Sequence, residues 1–97
     1  MKTERAPEDL GLDVLKRELG LVFKETHGGV MVVTVTGRSR AAAKGLERGD
    51  VVLAVNNVNV RTLDDLSRAV ESGFSRSSLV LSVLREPYVY NLTFGLD

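Results

Sequence analysis

The sequence predicts a small α+β domain of five or six short strands and three helices. Three observations carry that expectation. Val30–Thr36 and Val51–Asn56 are apolar on both faces and rich in valine, as interior strands are. Leu79–Glu86 and Tyr88–Leu96 alternate with period two. Apolar residues recur at helical spacing over 7–18 and again through Leu63, Leu66, Ala69 and Val70. A chain of 97 residues, 43% of them hydrophobic, suffices for one modest core.

Residues 1–6 are expected to fray. Pro7 suits the first helical position, where its missing N–H has no helical partner. Glu8 and Asp9 near the start and Lys16 and Arg17 near the end complement the helix dipole. A helix over 7–18 carries Gly11 in its interior, at a cost of about 1 kcal/mol relative to alanine. Leu21–Glu25 reads as a strand, His27-Gly28-Gly29 as a turn, and Val30–Thr36 as the returning strand. Ser39 can cap a short helix through Ala41–Lys44, which Gly45 ends. Glu47-Arg48-Gly49-Asp50 is a turn with Asp50 as its tether. Val51–Asn56 follows, then an Asn56-Asn57 turn into Val58–Val60. Thr62 with Asp65 makes a capping box for a second long helix that Gly73 closes. Leu79, Leu81 and Val83 share one strand face. Tyr88, Tyr90, Leu92, Phe94 and Leu96 share another.

Composition excludes several classes of function. Thirteen basic residues balance thirteen acidic ones, without the basic excess of a nucleic-acid surface. There is no cysteine and one histidine, so neither a disulfide framework nor an ordinary zinc site can form. His27, in its glycine turn, is placed to face water rather than to act as a base, and no serine lies in a G-x-S-x-G context. No catalytic residue, metal or cofactor is expected. No apolar run approaches the ~20 residues of a membrane span. The N-terminal stretch MKTERAPEDL lacks the apolar region of a signal peptide.

The run from Ser39 to Asn56, SRAAAKGLERGDVVLAVN, resembles the core signature of PDZ domains from bacterial Do/HtrA-type serine proteases. Val60–Leu66 is similar to the segment entering the long helix of that fold, and the Leu79–Arg85 strand also fits. Arg40 and Lys44 depart from the usual proline and alanine, both on the short helix. The resemblance implies a small, partly open β-barrel of five or six strands with two helices, plus the N-terminal helix. It divides the chain into a tail and helix at 1–17 and a PDZ unit at 18–97. It also implies a peptide module that is not itself an enzyme. Its partners would be C-terminal or extended segments of other proteins, and a protease domain outside this chain, in a periplasmic parent.

Leu-Gly-Leu occurs twice, at 10–12 and 19–21. In PDZ domains such a loop holds a ligand's terminal carboxylate in a nest of backbone N–H groups. The first copy is flanked by Asp9 and Asp13. The second follows Lys16 and Arg17 and precedes Lys24, and it runs directly into a strand. The second is therefore the expected loop, Glu18-Leu19-Gly20-Leu21. The rival is the first copy, with an insert before the strand.

Matching onward from Gly20, the resemblance implies a pocket of Leu19, Leu21 and Phe23 closed by Val70. Leu63 and Ser67 would line the helix wall. The backbone groups of Val22 and Lys24 would pair with the peptide. Leucine at 63 favours an apolar ligand side chain where a histidine would select Ser or Thr. Valine at position 20 is expected to block the nest without unfolding the domain. One buried side chain, at about 1.5–3 kcal/mol, and a few strand hydrogen bonds against the entropy of ordering imply micromolar or weaker binding. A competing expectation is a regulatory or assembly domain whose groove is filled by a neighbouring subunit or by its own N-terminal helix. A third is a PDZ unit of another host, such as a membrane metalloprotease, a C-terminal processing protease or a secretion component.

Overall fold

The structure, a computed structural model, describes residues 7–74 and 76–95, with backbone only at 7–10 and 74. The expectations for residues 1–6 and for Leu96 lie outside the described residues, as does the side chain of Leu10. The chain runs α1 (Pro7–Val14), a π-helical turn (Leu15–Leu19), β1 (Leu21–Thr26), β2 (Gly29–Val35), α2 (Arg40–Ala43), β3 (Val51–Val55) and β4 (Val58–Asn59). It continues through α3 (Leu63–Phe74), β5 (Ser78–Arg85) and β6 (Tyr88–Gly95). The helix expected over 7–18 is therefore two structures. Its last turn widens, and Gly20 at φ 79° ends it by donating its N–H to the Leu15 and Lys16 carbonyls.

The sheet has six strands in the order β1-β2-β3-β5-β6, with β4 paired to β3, and every pairing is antiparallel. β2 and β3 are interior, as their two-sided apolar sequences require. β1 and β6 are the edges. Leu79, Leu81 and Val83 of β5 are all buried, so that face matches its alternation. β6 differs. Phe94 is buried and Leu92 half-buried, while Tyr88 and Tyr90 stand in solvent on a ribbon that extends past the core. Alternation alone specifies a face and not how far the core reaches along it.

The core joins one face of the sheet to α3 and the π-helical turn. Leu15 and Leu19 enter it from the turn, Leu66 and Val70 from α3, and Val30, Val32, Val52 and Leu81 from the sheet. Each such side chain contributes about 1.5–3 kcal/mol by leaving water. The local signals are met by specific bonds. Ser39 Oγ accepts from Ala42 N–H at 3.1 Å, and Thr62 Oγ1 accepts from Asp65 N–H at 3.0 Å. Gly73 does not close α3. It lies inside the last turn, where an added Cβ would meet Leu79 Cδ2 at 2.7 Å.

Candidate functional site

β1 and α3 form the two sides of the candidate groove. β1 pairs only with β2, so its other edge carries no strand among the described residues. Thr36 N–H donates to the Gly20 carbonyl at 2.8 Å, which makes Leu21 opposite Val35 a non-hydrogen-bonded pair. Counting from either end, across the bulge between Val22 and Phe23, the backbone groups of Val22 and Lys24 point into the sheet. Leu21, Phe23 and Glu25 offer theirs to the open edge. The expectation that Val22 and Lys24 pair with a ligand is thus corrected by one residue. A strand's two edges alternate with the same period as its two faces, and only the β1–β2 register decides which residues take which edge.

Leu21 and Phe23 also turn their side chains to the core side, Leu21 buried and Phe23 half-buried. Leu63, Ser67 and Val70 recur at i, i+4 and i+7 on one face of α3. Ser67 and Val70 are 0% exposed and Leu63 is half-buried against the core. Glu25 reaches across from β1, its Oε1 accepting from Leu63 N–H at 2.8 Å. That bond caps α3 from the opposite side of the groove. Sequence reasoning did not find Glu25, because nothing local marks a carboxylate that caps a helix 38 positions away.

The two Leu-Gly-Leu copies have different physical reasons for their glycine. Gly20 needs a positive φ and sits against α2, where a Cβ would fall 2.4 Å from Ser39 Cβ. Any side chain there strains the backbone and clashes, so valine at 20 disturbs the fold as well as a ligand. The expectation of a purely local effect is withdrawn. Leu19, fully buried, belongs to the core in front of it. Gly11 has no positive φ. It lies in α1 where that helix crosses α3, and its N–H donates to Ser67 Oγ at 3.1 Å. A Cβ on it would come within 2.5 Å of the Ser67 carbonyl oxygen. Ser67 Oγ also lies 3.4 Å from Glu71 Oε2.

Behind the groove, the signature turn is held by one carboxylate. Asp50 is 2% exposed and accepts from Glu47 N–H at 2.9 Å. It accepts from Arg85 Nε and from one Arg85 terminal nitrogen, both at 2.8 Å. Burial alone would raise the Asp50 pKa. The Arg85 hydrogen bonds, the Glu47 amide and the Arg85 charge outweigh burial and hold it below the usual carboxylate range. Asp50 is therefore the tether that the turn was expected to have. Its partner Arg85 carried no signal in the sequence.

The family model for the PDZ domain matches residues 18–94. The chain belongs to the PDZ domain family. Among curated relatives, this PDZ chain is 40% identical over 52 residues to a probable periplasmic serine endoprotease DegP-like of Brucella suis. That match covers 54% of this chain and 10% of the relative. It is 27% identical over 93 residues to human Disks large homolog 5, covering 96% of this chain and 4% of that protein. The chain thus spans a tenth or less of the curated relatives it matches. Among solved structures it superposes on the PDZ domain of EpsC from Vibrio cholerae, residues 204–305. The TM-score is 0.65 at 15% identity, over 92% of this chain and 90% of that one. The PDZ domain of pullulanase C from Klebsiella pneumoniae, solved with a fatty acid, gives a TM-score of 0.58 at 19% identity, over 78% of this chain and 84% of that one. At these identities the structures share the fold with this PDZ domain. A PDZ domain is a non-catalytic module, and among the described residues no cluster of metal-ligating side chains occurs. No described helix is long and apolar enough to cross a membrane.

Proposed function

We propose that this PDZ domain binds apolar C-terminal or extended segments of other proteins by adding them as a strand to β1. The observation that carries this reading is the open β1 edge facing α3. Leu21, Phe23 and Glu25 direct their backbone groups outward there, and Leu63, Ser67 and Val70 form the opposite face. The carboxylate-loop assignment to Glu18-Leu19-Gly20-Leu21 is part of the same proposal. So is the division of the chain at residue 18.

The domain would serve an HtrA-type serine protease, recognising unfolded or mislocalised chains and delivering them to a protease domain outside this sequence. The likeness to a DegP-like relative whose name places it in the periplasm supports that host and that compartment. Binding would be micromolar or weaker, which suits capture and release.

An NMR titration tests the reading. An octapeptide ending in Ala-Leu-Val is added once as the free acid and once amidated. Shifts confined to Leu19–Phe23 and 63–70, larger for the free acid, support a carboxylate-reading groove. Equal shifts from both forms would remove the carboxylate loop and keep strand addition. No shifts in this chain or in one with α1 loosened would overturn the reading.

A further inference from the structure

The geometry points to α1 as an intramolecular lid on the peptide groove, so that a ligand binds only after α1 leaves α3. This rests on the groove reading above and adds its regulation. At its centre the α3 wall that a peptide side chain would touch is already covered, by α1 at Ser67. Ser67 and Val70, the centre of the α3 wall, are 0% exposed, and the Gly11 N–H occupies Ser67 Oγ at 3.1 Å. The approach is backbone to backbone. Gly11 lies so near Ser67 that a single methyl would collide with its carbonyl oxygen and Cα. No ligand side chain can enter between two helices that close.

The lid is built to come off. α1 has 8 residues, shorter than the ~12–15 at which an isolated helix holds in water, and it carries a glycine in its interior. Its helicity depends on docking. Once undocked it gains chain entropy, which opposes the contact with α3. Leu15 and Leu19, both fully buried, anchor the π-helical turn to the core, so α1 can leave while the domain stays folded. A groove open only a tenth of the time would bind about tenfold more weakly than an open one. Weak binding by the intact chain and tight binding by a loosened one are then two views of one equilibrium.

The test uses the full chain and two variants on α1, Gly11→Val and Leu12→Glu. The first inserts a side chain into the α1–α3 contact. The second puts a charge where a half-buried leucine packs against the core. Neither alters a groove residue, and the second guards against a folding defect peculiar to the first. Binding of a fluorescein-labelled octapeptide ending in Ala-Leu-Val, with a free carboxylate, is read by anisotropy. Deuterium exchange at the 67–70 amides is read in parallel. At least tenfold tighter binding by both variants, with faster exchange at 67–70, is the expected result. Equal affinity in all three chains, with that exchange accelerated in the variants, overturns the lid and leaves the groove reading standing. No binding by any of them, with exchange accelerated, overturns the groove reading and the lid with it.

Discussion

Asp50 and Arg85 lie 35 positions apart in the chain and are joined by two hydrogen bonds of 2.8 Å, with Asp50 almost wholly out of water. The pair fastens the turn before β3 to the end of β5, and a third Arg85 bond, of 2.7 Å, reaches the Gly45 carbonyl. Because the folded state lowers the Asp50 pKa, the stability this carboxylate supplies is complete above its unfolded value of about 3.9. It is lost as pH falls below that value, toward the lower folded pKa. Denaturant unfolding from pH 7 to pH 3 should show little change from this group down to about pH 5 and a decline below about pH 4. In Asp50→Ala the decline should be shallower and stability at pH 7 lower by about 2 kcal/mol. An unaltered acid limb would remove Asp50 from that role.

Asn56 ties β3 to the start of β5. Its side-chain N–H donates to the Ser78 carbonyl at 3.2 Å, and its Oδ1 accepts from Val80 N–H at 2.7 Å, from a backbone at φ 50°. Asn56→Ala loses both bonds and places alanine in a left-handed conformation. A loss of about 2–3 kcal/mol in unfolding free energy is expected. Asn56→Asp should retain the Val80 bond and lose less.

Gly20 and Ser39 share one contact. Gly20→Ala must hold a positive φ and displace Ser39, so it should cost at least about 1–2 kcal/mol of stability. Ser39→Ala removes the α2 cap alone and should cost about 1 kcal/mol. In the double variant the smaller residue at 39 leaves the clash nearly as it was, because the blocking atom is the Ser39 Cβ. Thermal unfolding of the three chains checks this ordering.

Leu63 opens α3 beside the groove, half-buried, with its N–H held by Glu25. Leu63→His should shift preference toward Ser or Thr at the third ligand residue from the end. A peptide array run in the Gly11→Val background reads this with the groove open. An unchanged preference would show that α3 presents a different register to the ligand.

Local chemistry alone determined a good deal of this protein. The valine-rich runs became the interior strands, Ser39 and Thr62 capped the helices named for them, and the Ser39–Asn56 signature gave the fold family. Each of these is settled within a few residues by propensity, turn geometry or a side chain bonding its own backbone. Only the tertiary structure decided the geometry of the candidate groove. The β1–β2 register sent the Leu21, Phe23 and Glu25 backbone groups to the open edge, Glu25 capped a helix far along the chain, and Gly11 met Ser67 across 56 positions. Those relationships join segments whose approach depends on how the core closes, and no stretch of sequence near either partner encodes the distance between them. The two Leu-Gly-Leu copies show both cases. The turn chemistry of the second is visible in its neighbours, whereas the glycine of the first is explained only by the helix that lies against it.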